Sequence, residues 1–123
     1  MIYFNFPEHI IEQYTYGDCW LLSNALNKLG GYDRIIAYTS EPTEATDFVW
    51  GHAANILQDK AVVDIKGIYS EASFKKKGYP YLYVQPTKIE SDIHYNSRFG
   101  KPPDTQKALR WAKKIHEELQ LLT

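Results

Sequence analysis

Two stretches of the chain place apolar residues at helical spacing. The first begins near Asp18, a residue type favoured at helix N-caps, and ends at Gly30-Gly31, as helices often end before glycine. Its apolar stripe comprises Trp20, Leu21, Leu22, Ala25, Leu26 and Leu29. The second begins after Asp104, and its stripe comprises Ala108, Leu109, Trp111, Ala112, Ile115, Leu119 and Leu122. Both patterns predict amphipathic helices, over 18–29 and from Asp104 to about Leu121.

The segment between these helices alternates short β-rich runs with polar connections. Residues 34–39 and 81–85 predict strands, and residues 48–67 predict a hairpin that turns at Gln58-Asp59-Lys60. Residues 70–77 predict one or two helical turns capped by Ser70. The polar segment 40–47 predicts a loop that could also serve as a lid on the substrate side. Residues 1–12 predict a short strand or arm and then a turn around Pro7.

This order of elements predicts an α+β fold. We expect an N-terminal helix packed on a small antiparallel sheet, together with a C-terminal amphipathic helix. The 123 residues are enough for one core, so the prediction is a single domain over residues 1–123.

Charge and cysteine content exclude several classes of function. The formal net charge of −1 shows no basic field for nucleic acid or an acidic membrane surface. A single cysteine excludes an intramolecular disulfide and a zinc site built from several cysteines. The N-terminal residues do not resemble a signal peptide, and no apolar run approaches the length of a membrane span. We therefore expect a cytoplasmic protein.

The single cysteine, Cys19, is the candidate nucleophile. It falls in the first turn of the predicted helix, where the positive end of the helix dipole favours a thiolate. The alternative is a buried, inert cysteine, since cysteine is among the most buried residue types. The Gly17-Asp18-Cys19-Trp20 context, followed by an apolar stripe, favours the catalytic interpretation.

A thiolate enzyme also needs a base and a group that orients the base. His52 is the candidate base, and Asp64 is the candidate orienting residue. If residues 58–60 form the turn and Leu57 pairs with Ala61, then Ala54 lies opposite Asp64 and His52 shares its face. A slip of one residue in this register would send the two side chains to opposite faces.

The remaining histidines fit the role of base less well. His9 lies in the N-terminal arm, and His94 lies in an irregular polar segment and is the reserve candidate. His116 is surrounded in sequence by lysines and glutamates, which predicts a solvated helix face.

The other candidate site residues would bind the oxyanion or form the walls of a cleft. The Cys19 backbone N–H and the Gln13 side chain are the candidate oxyanion donors. Trp20 and Trp50 are candidates for the walls of a substrate cleft, although either is equally compatible with the core.

Gln13, together with the Gly17 to Leu22 motif, resembles the active-site segment of papain-like cysteine peptidases, most closely that of calpains. Gly51-His52-Ala53 is similar to the stretch that carries the calpain histidine. The resemblance implies Cys19 as nucleophile, His52 as base and Gln13 as oxyanion donor. His52 follows Cys19 much sooner than in calpains or papain, and the family's usual catalytic asparagine on a later strand has no clear counterpart. Instead, Asp64 follows His52 across the predicted hairpin. That Cys-His-Asp arrangement is similar to compact transglutaminase-like domains, which belong to the same superfold.

The combined prediction is a thiol hydrolase or acyl transferase acting on an amide bond of a protein or peptide. Peptidase, deamidase and transglutaminase chemistry all remain open, and none requires a metal or organic cofactor. The alternative is a non-catalytic papain-like module that binds a protein partner. The Lys75-Lys76-Lys77 run is consistent with partner binding but is more typical of a solvated helix face. Binding of nucleic acid is disfavoured by the charge balance and by the lack of a motif.

Overall fold

The computed structural model describes residues 2–15, 17–38, 52–76, 81–84 and 104–122. Its helices are α1 (Glu8–Thr15), α2 (Cys19–Gly30), α3 (Glu71–Lys76) and α4 (Thr105–Leu121). Its strands are β1 (Ile2–Tyr3), β2 (Asp33–Tyr38), β3 (His52–Ile56), β4 (Val62–Asp64), β5 (Gly67–Tyr69) and β6 (Tyr81–Val84). Helices and an antiparallel sheet together confirm the predicted α+β class.

The six described strands form one antiparallel sheet in the order β1-β5-β4-β3-β2-β6. The β3–β4 and β4–β5 connections are tight hairpins, so three consecutive strands are neighbours in the sheet. Gly67 joins β5 to the edge strand β1 with a φ of 152°, and a Cβ there would collide with the backbone of Ile2. The edge pairing therefore requires glycine at this position.

The main core lies between the sheet and the helices α1, α2 and α4. Leu21, Leu22 and Leu26 of α2 meet Val63 and Ile65 from the sheet side. The core-facing residues of α4 are Ala108, Ala112, Ile115 and Leu119. This confirms most of the predicted stripe of the last helix. Leu122 is the exception, because it follows the last helical turn and is 53% exposed.

The helix α1 was not predicted. Pro7 begins it, since the Pro7 carbonyl accepts hydrogen bonds from the N–H groups of Ile10 and Ile11 at 3.0 and 3.1 Å. Ile10 and Tyr14, four residues apart, form its buried face. The expected turn around Pro7 is therefore the first turn of a helix, and its eight residues are too few for a strong periodic signal.

Two predicted helix caps have different outcomes. Asp104 accepts a hydrogen bond from the Lys107 N–H at 3.0 Å, so the predicted cap of α4 is confirmed. Asp18 occupies the N-cap position of α2, but its side chain makes no capping hydrogen bond. Its φ and ψ of −93° and 11° depart from the extended backbone that directs a capping side chain at the helix. The predicted cap by the Asp18 side chain is wrong, and the carboxylate binds Gln13 instead.

Candidate active site

Cys19 is the first residue of α2 and lies against the first residues of β3. Gly17 precedes it with a φ of 128°, a conformation that favours glycine and turns the chain into the helix. The Ala53 N–H donates a hydrogen bond to the Cys19 Sγ at 3.5 Å. This contact holds the Cys19 sulfur against the start of β3.

Two buried hydrogen bonds hold α2 on β3 and so set the position of Cys19. The Ser23 hydroxyl, one turn after Cys19, donates to the Ala54 carbonyl at 3.0 Å. The Asn55 side chain donates to the Ser23 carbonyl at 3.1 Å. Both side chains are buried. They tie the helix to the strand next to His52, and neither was singled out from the sequence, since each has a partner distant in the chain.

His52 and Asp64 face each other from neighbouring strands. The ladder pairs Asn55 with Val63 and Ile56 with Val62, and Leu57 N–H donates to the Ala61 carbonyl at 2.8 Å. This is the predicted register. Lys60 completes the predicted three-residue turn with a φ of 72°. His52 Nε2 lies 2.9 Å from Asp64 Oδ2, which confirms that the two side chains share a face.

The Asp64 carboxylate is buried, yet its surroundings favour the ionised form. Burial, the largest influence, would raise its pKa, but the hydrogen bond and charge of His52 outweigh it and lower the pKa below the ordinary value. The Lys66 N–H adds a hydrogen bond to Oδ1 at 2.8 Å. The Tyr69 hydroxyl also contributes a hydrogen bond that lowers the pKa of Asp64. Asp64 is therefore fixed from several sides and can orient the imidazole.

The electrostatics of His52 favour the imidazolium form. Burial, again the largest influence, lowers the pKa of His52, but the hydrogen bond to Asp64 and the neighbouring Cys19 together raise it to about 10. Asp64 approaches the ring at Nε2, and Cys19 is a second hydrogen-bonding neighbour of the same ring. The three side chains thus form one buried cluster. A protonated imidazole stabilises the charge of a neighbouring carboxylate.

Two aromatic side chains, Tyr69 and Phe74, pack around the cluster of Asp64, His52 and Cys19. The Phe74 ring lies 6.0 Å from the His52 ring and 6.4 Å from the Tyr69 ring, measured between centroids. Phe74 reaches this position because Ser70 caps α3, accepting the Ser73 N–H at 3.1 Å. The predicted Ser70 cap is confirmed. Sequence reasoning missed Tyr69 and Phe74, although the β4–β5 register alone would have placed Tyr69 diagonally across from Asp64.

Gln13 lies on α1 with its side-chain amide between two charged residues. Its Nε2 donates to Asp18 Oδ2 at 2.8 Å, and its Oε1 accepts from Lys107 Nζ at 2.7 Å. One amide proton is thus engaged by Asp18, immediately before Cys19. Gln13 can therefore donate to an oxyanion only through the second proton on its Nε2.

The remaining candidates are placed as follows. Trp20 is 2% exposed and lies below the Arg34 guanidinium, 5.9 Å from its ring centroid. This position fits the core alternative and is not an open cleft wall. Trp50, the reserve base His94 and the predicted loop 40–47 lie outside the described residues. Lys75 and Lys76 belong to α3, and Lys77 lies outside the described part of the chain.

The three candidate catalytic residues lie together, and all three are buried. Cys19 and His52 are each 3% exposed, and Asp64 is 6% exposed. The sequence placed Cys19 at the mouth of the helix, and it does begin the helix, but the sheet covers that end. A substrate can reach the Cys19 sulfur only if the segments of the protein that cover it move aside.

No protein-family model matches this chain, and neither a curated protein nor a solved structure gives a significant match. Within the described residues, no three or more His, Cys, Asp or Glu side chains are grouped in a way that could hold a metal ion. Likewise, none of the described helices has the length and apolar character needed to cross a membrane. Any functional assignment therefore depends on the site itself.

Proposed function

We propose that the protein is a thiol-dependent hydrolase or acyl transferase that acts on an amide bond through Cys19, His52 and Asp64. One observation carries the proposal: the buried His52–Asp64 pair, with 2.9 Å between Nε2 and Oδ2, lies beside Cys19, the single cysteine of the chain. A buried ion pair is costly to maintain, and a neighbouring nucleophile gives it a chemical use. The similarity to papain-like and transglutaminase-like motifs is consistent with this chemistry.

In the proposed reaction the Cys19 thiolate attacks the carbonyl carbon of the substrate, and a sulfur–carbon bond forms. His52 holds the thiol proton and donates it to the leaving amine as the carbon–nitrogen bond breaks. Asp64 orients the ring and stabilises its positive charge. The Cys19 N–H and the Gln13 amide stabilise the oxyanion. Water or a second amine then attacks the thioester and releases Cys19. None of these steps needs a cofactor beyond the protein.

The proposed substrate is a protein or peptide, as the resemblance to papain-like and transglutaminase-like motifs implies. A free catalytic thiol also persists best in a reducing compartment, so the proposal includes a cytoplasmic location. Hydrolysis, deamidation and transamidation differ only in the leaving amine and in the nucleophile that resolves the thioester.

The test compares Cys19 in the native chain with the same thiol in the unfolded chain. At about pH 6 an ordinary thiol, with a free pKa of about 8.5, is almost fully protonated and reacts slowly with iodoacetamide. We expect native Cys19 to be alkylated faster than the unfolded thiol. We also expect p-nitrophenyl acetate to acylate native Cys19, with release of p-nitrophenolate. Cys19→Ala is the control for reaction at other residues.

A second candidate function is favoured by the 3% exposure of Cys19. A papain-like module that only binds a protein partner needs no accessible thiolate, and a buried cysteine would then be part of its core. Native Cys19 that is alkylated more slowly than the unfolded thiol at every pH would contradict the catalytic proposal and support this module.

A further inference from the structure

The last helix reaches the candidate oxyanion donor through Lys107. Lys107 Nζ of α4 donates to Gln13 Oε1 of α1 at 2.7 Å, and Gln13 Nε2 donates to Asp18 Oδ2 at 2.8 Å. Asp18 adjoins Cys19 at the start of α2. Lys107 of α4, Gln13 of α1 and the N-cap residue of α2 thus form a continuous series of hydrogen bonds that ends beside the candidate nucleophile.

The two partners determine the orientation of the Gln13 amide. An ammonium group has only donors, so the end of the amide that faces Lys107 must be the carbonyl oxygen. An ionised carboxylate has only acceptors, so the end that faces Asp18 must be the NH₂ group. The two requirements agree. Without Lys107, Asp18 alone of these two partners would oppose rotation of the amide by half a turn.

We propose that Lys107 is a positioning residue for the oxyanion donor, a role that rests on the proposed function. The lysine holds the Gln13 carbonyl away from the start of α2 and keeps the NH₂ group next to Asp18 and Cys19. One proton of that NH₂ group binds Asp18, and the second is available to a developing oxyanion. The positive charge on Lys107 also polarises the amide, which makes its N–H groups stronger donors.

A simple structural clamp between α1 and α4 would show the same contacts, so the test must separate orientation from stability. Two reagents that both react with the Cys19 thiolate can separate a change in orientation from a change in stability. Acylation by p-nitrophenyl acetate passes through a tetrahedral oxyanion, whereas alkylation by iodoacetamide is a direct displacement at carbon without an oxyanion. Loss of a positioned oxyanion donor should therefore slow only the first reaction.

We expect Lys107→Met to slow acylation of Cys19 about tenfold, part of the roughly 10²–10³-fold that loss of a whole oxyanion donor costs. Alkylation by iodoacetamide should stay at the wild-type rate. Lys107→Arg, which retains a cationic donor, should recover most of the acylation rate. Lys113→Met is the matched control, since Lys113 is exposed on the same helix and its loss removes the same charge. It should change neither rate.

Equal slowing of both reagents by Lys107→Met, or no slowing of either, would overturn the proposal. An NMR measurement keeps it testable if Cys19 proves unreactive and the proposed function fails. The side-chain amide resonances of Gln13, assigned from their loss in Gln13→Ala, should shift in Lys107→Met and stay in place in Lys113→Met. Unchanged Gln13 resonances in Lys107→Met would show that the lysine does not orient the amide.

Discussion

Among the residues that the structure describes, His52 and His116 each make a short side-chain hydrogen bond, but with different partners. His52 Nε2 lies 2.9 Å from the buried Asp64 carboxylate, next to Cys19. His116 Nδ1 lies 2.7 Å from the Tyr32 hydroxyl at a half-buried position on α4. Burial raises the pKa of Tyr32, so the phenol keeps its proton.

The comparison shows that the partner, more than the hydrogen bond length, decides what a histidine can do. The Asp64 carboxylate and the neighbouring Cys19 favour a charged His52 ring, which can hold and return a proton. The Tyr32 phenol instead attaches His116, and with it α4, to the segment between α2 and β2. His116 also corrects the prediction of a solvated helix face, because it is half-buried and bound to Tyr32. The sequence did not reveal this contact, since the two residues are 84 positions apart.

The largest difference between the two regions should appear in thiol chemistry. His52→Gln keeps a donor for Asp64 but removes the proton acceptor, so acylation and alkylation of Cys19 at about pH 6 should fall roughly 10²–10⁴-fold. His116→Gln should leave both rates unchanged. Rates are measured by p-nitrophenolate release and by mass spectrometry of the alkylated chain. Equal rates for the two variants would remove His52 from the proposed reaction.

The next largest effect should be on stability when Asp64 is removed. Asp64→Ala leaves His52 buried without its carboxylate, and breaking a buried pair in this way costs about 3–5 kcal/mol of the free energy of unfolding. Asp59 supplies a matched control, since its exposed carboxylate accepts the Ala61 N–H at 3.0 Å in the same hairpin. Asp59→Ala should cost about 1 kcal/mol. Urea unfolding measures both, and similar losses would mean that the buried pair contributes little.

The pH dependence of stability should separate the two histidines further. The folded pKa of His52 is raised from 6.5 to about 10, so its contribution to stability is complete below about pH 6.5 and declines as the pH rises toward 10. The pKa of Asp64 is lowered from 3.8, so its contribution is complete above that value and is lost in more acidic solution. The pair is therefore most stabilising between these limits.

Urea unfolding midpoints at about pH 6 and pH 9.5 test this linkage. The wild-type chain and His116→Gln should both lose stability between the two pH values, whereas His52→Gln should lose less. A wild-type midpoint that does not change over this interval would be inconsistent with a charged His52.

The smallest effect is expected at the second histidine. Tyr32→Phe removes the hydroxyl that binds His116, and the loss of one such hydrogen bond costs about 1 kcal/mol. Thermal or urea unfolding measures the cost. Both Cys19 reactions should continue at wild-type rates, because this contact attaches α4 without touching the candidate site. A loss of acylation in Tyr32→Phe would show that the two regions are coupled.

Local patterns in the sequence were sufficient to predict the elements that carry Cys19, His52 and Asp64. Helix α2 was predictable because its stripe repeats over three turns and ends at Gly30-Gly31, with Gly31 at a φ of 72°. The β3–β4 register was predictable because a three-residue turn leaves one pairing that puts His52 and Asp64 on a common face. Helix α1 was missed because its eight residues contain only two buried positions.

The sequence by itself determined the fold class and the β3–β4 hairpin, since both follow from periodicity and from neighbours close in the chain. It also nominated Cys19, His52 and Asp64 as candidate nucleophile, base and orienting residue, from the single cysteine, the motif around it and the hairpin register. Only the tertiary structure brought the Cys19 end of α2 against β3, through Ser23 and Asn55, and joined Gln13 to Lys107. It also decided that the site is buried and that Asp18 binds Gln13 instead of capping α2. These contacts link residues from separate elements. They form only when the elements pack, and no local pattern encodes which side chains will then meet.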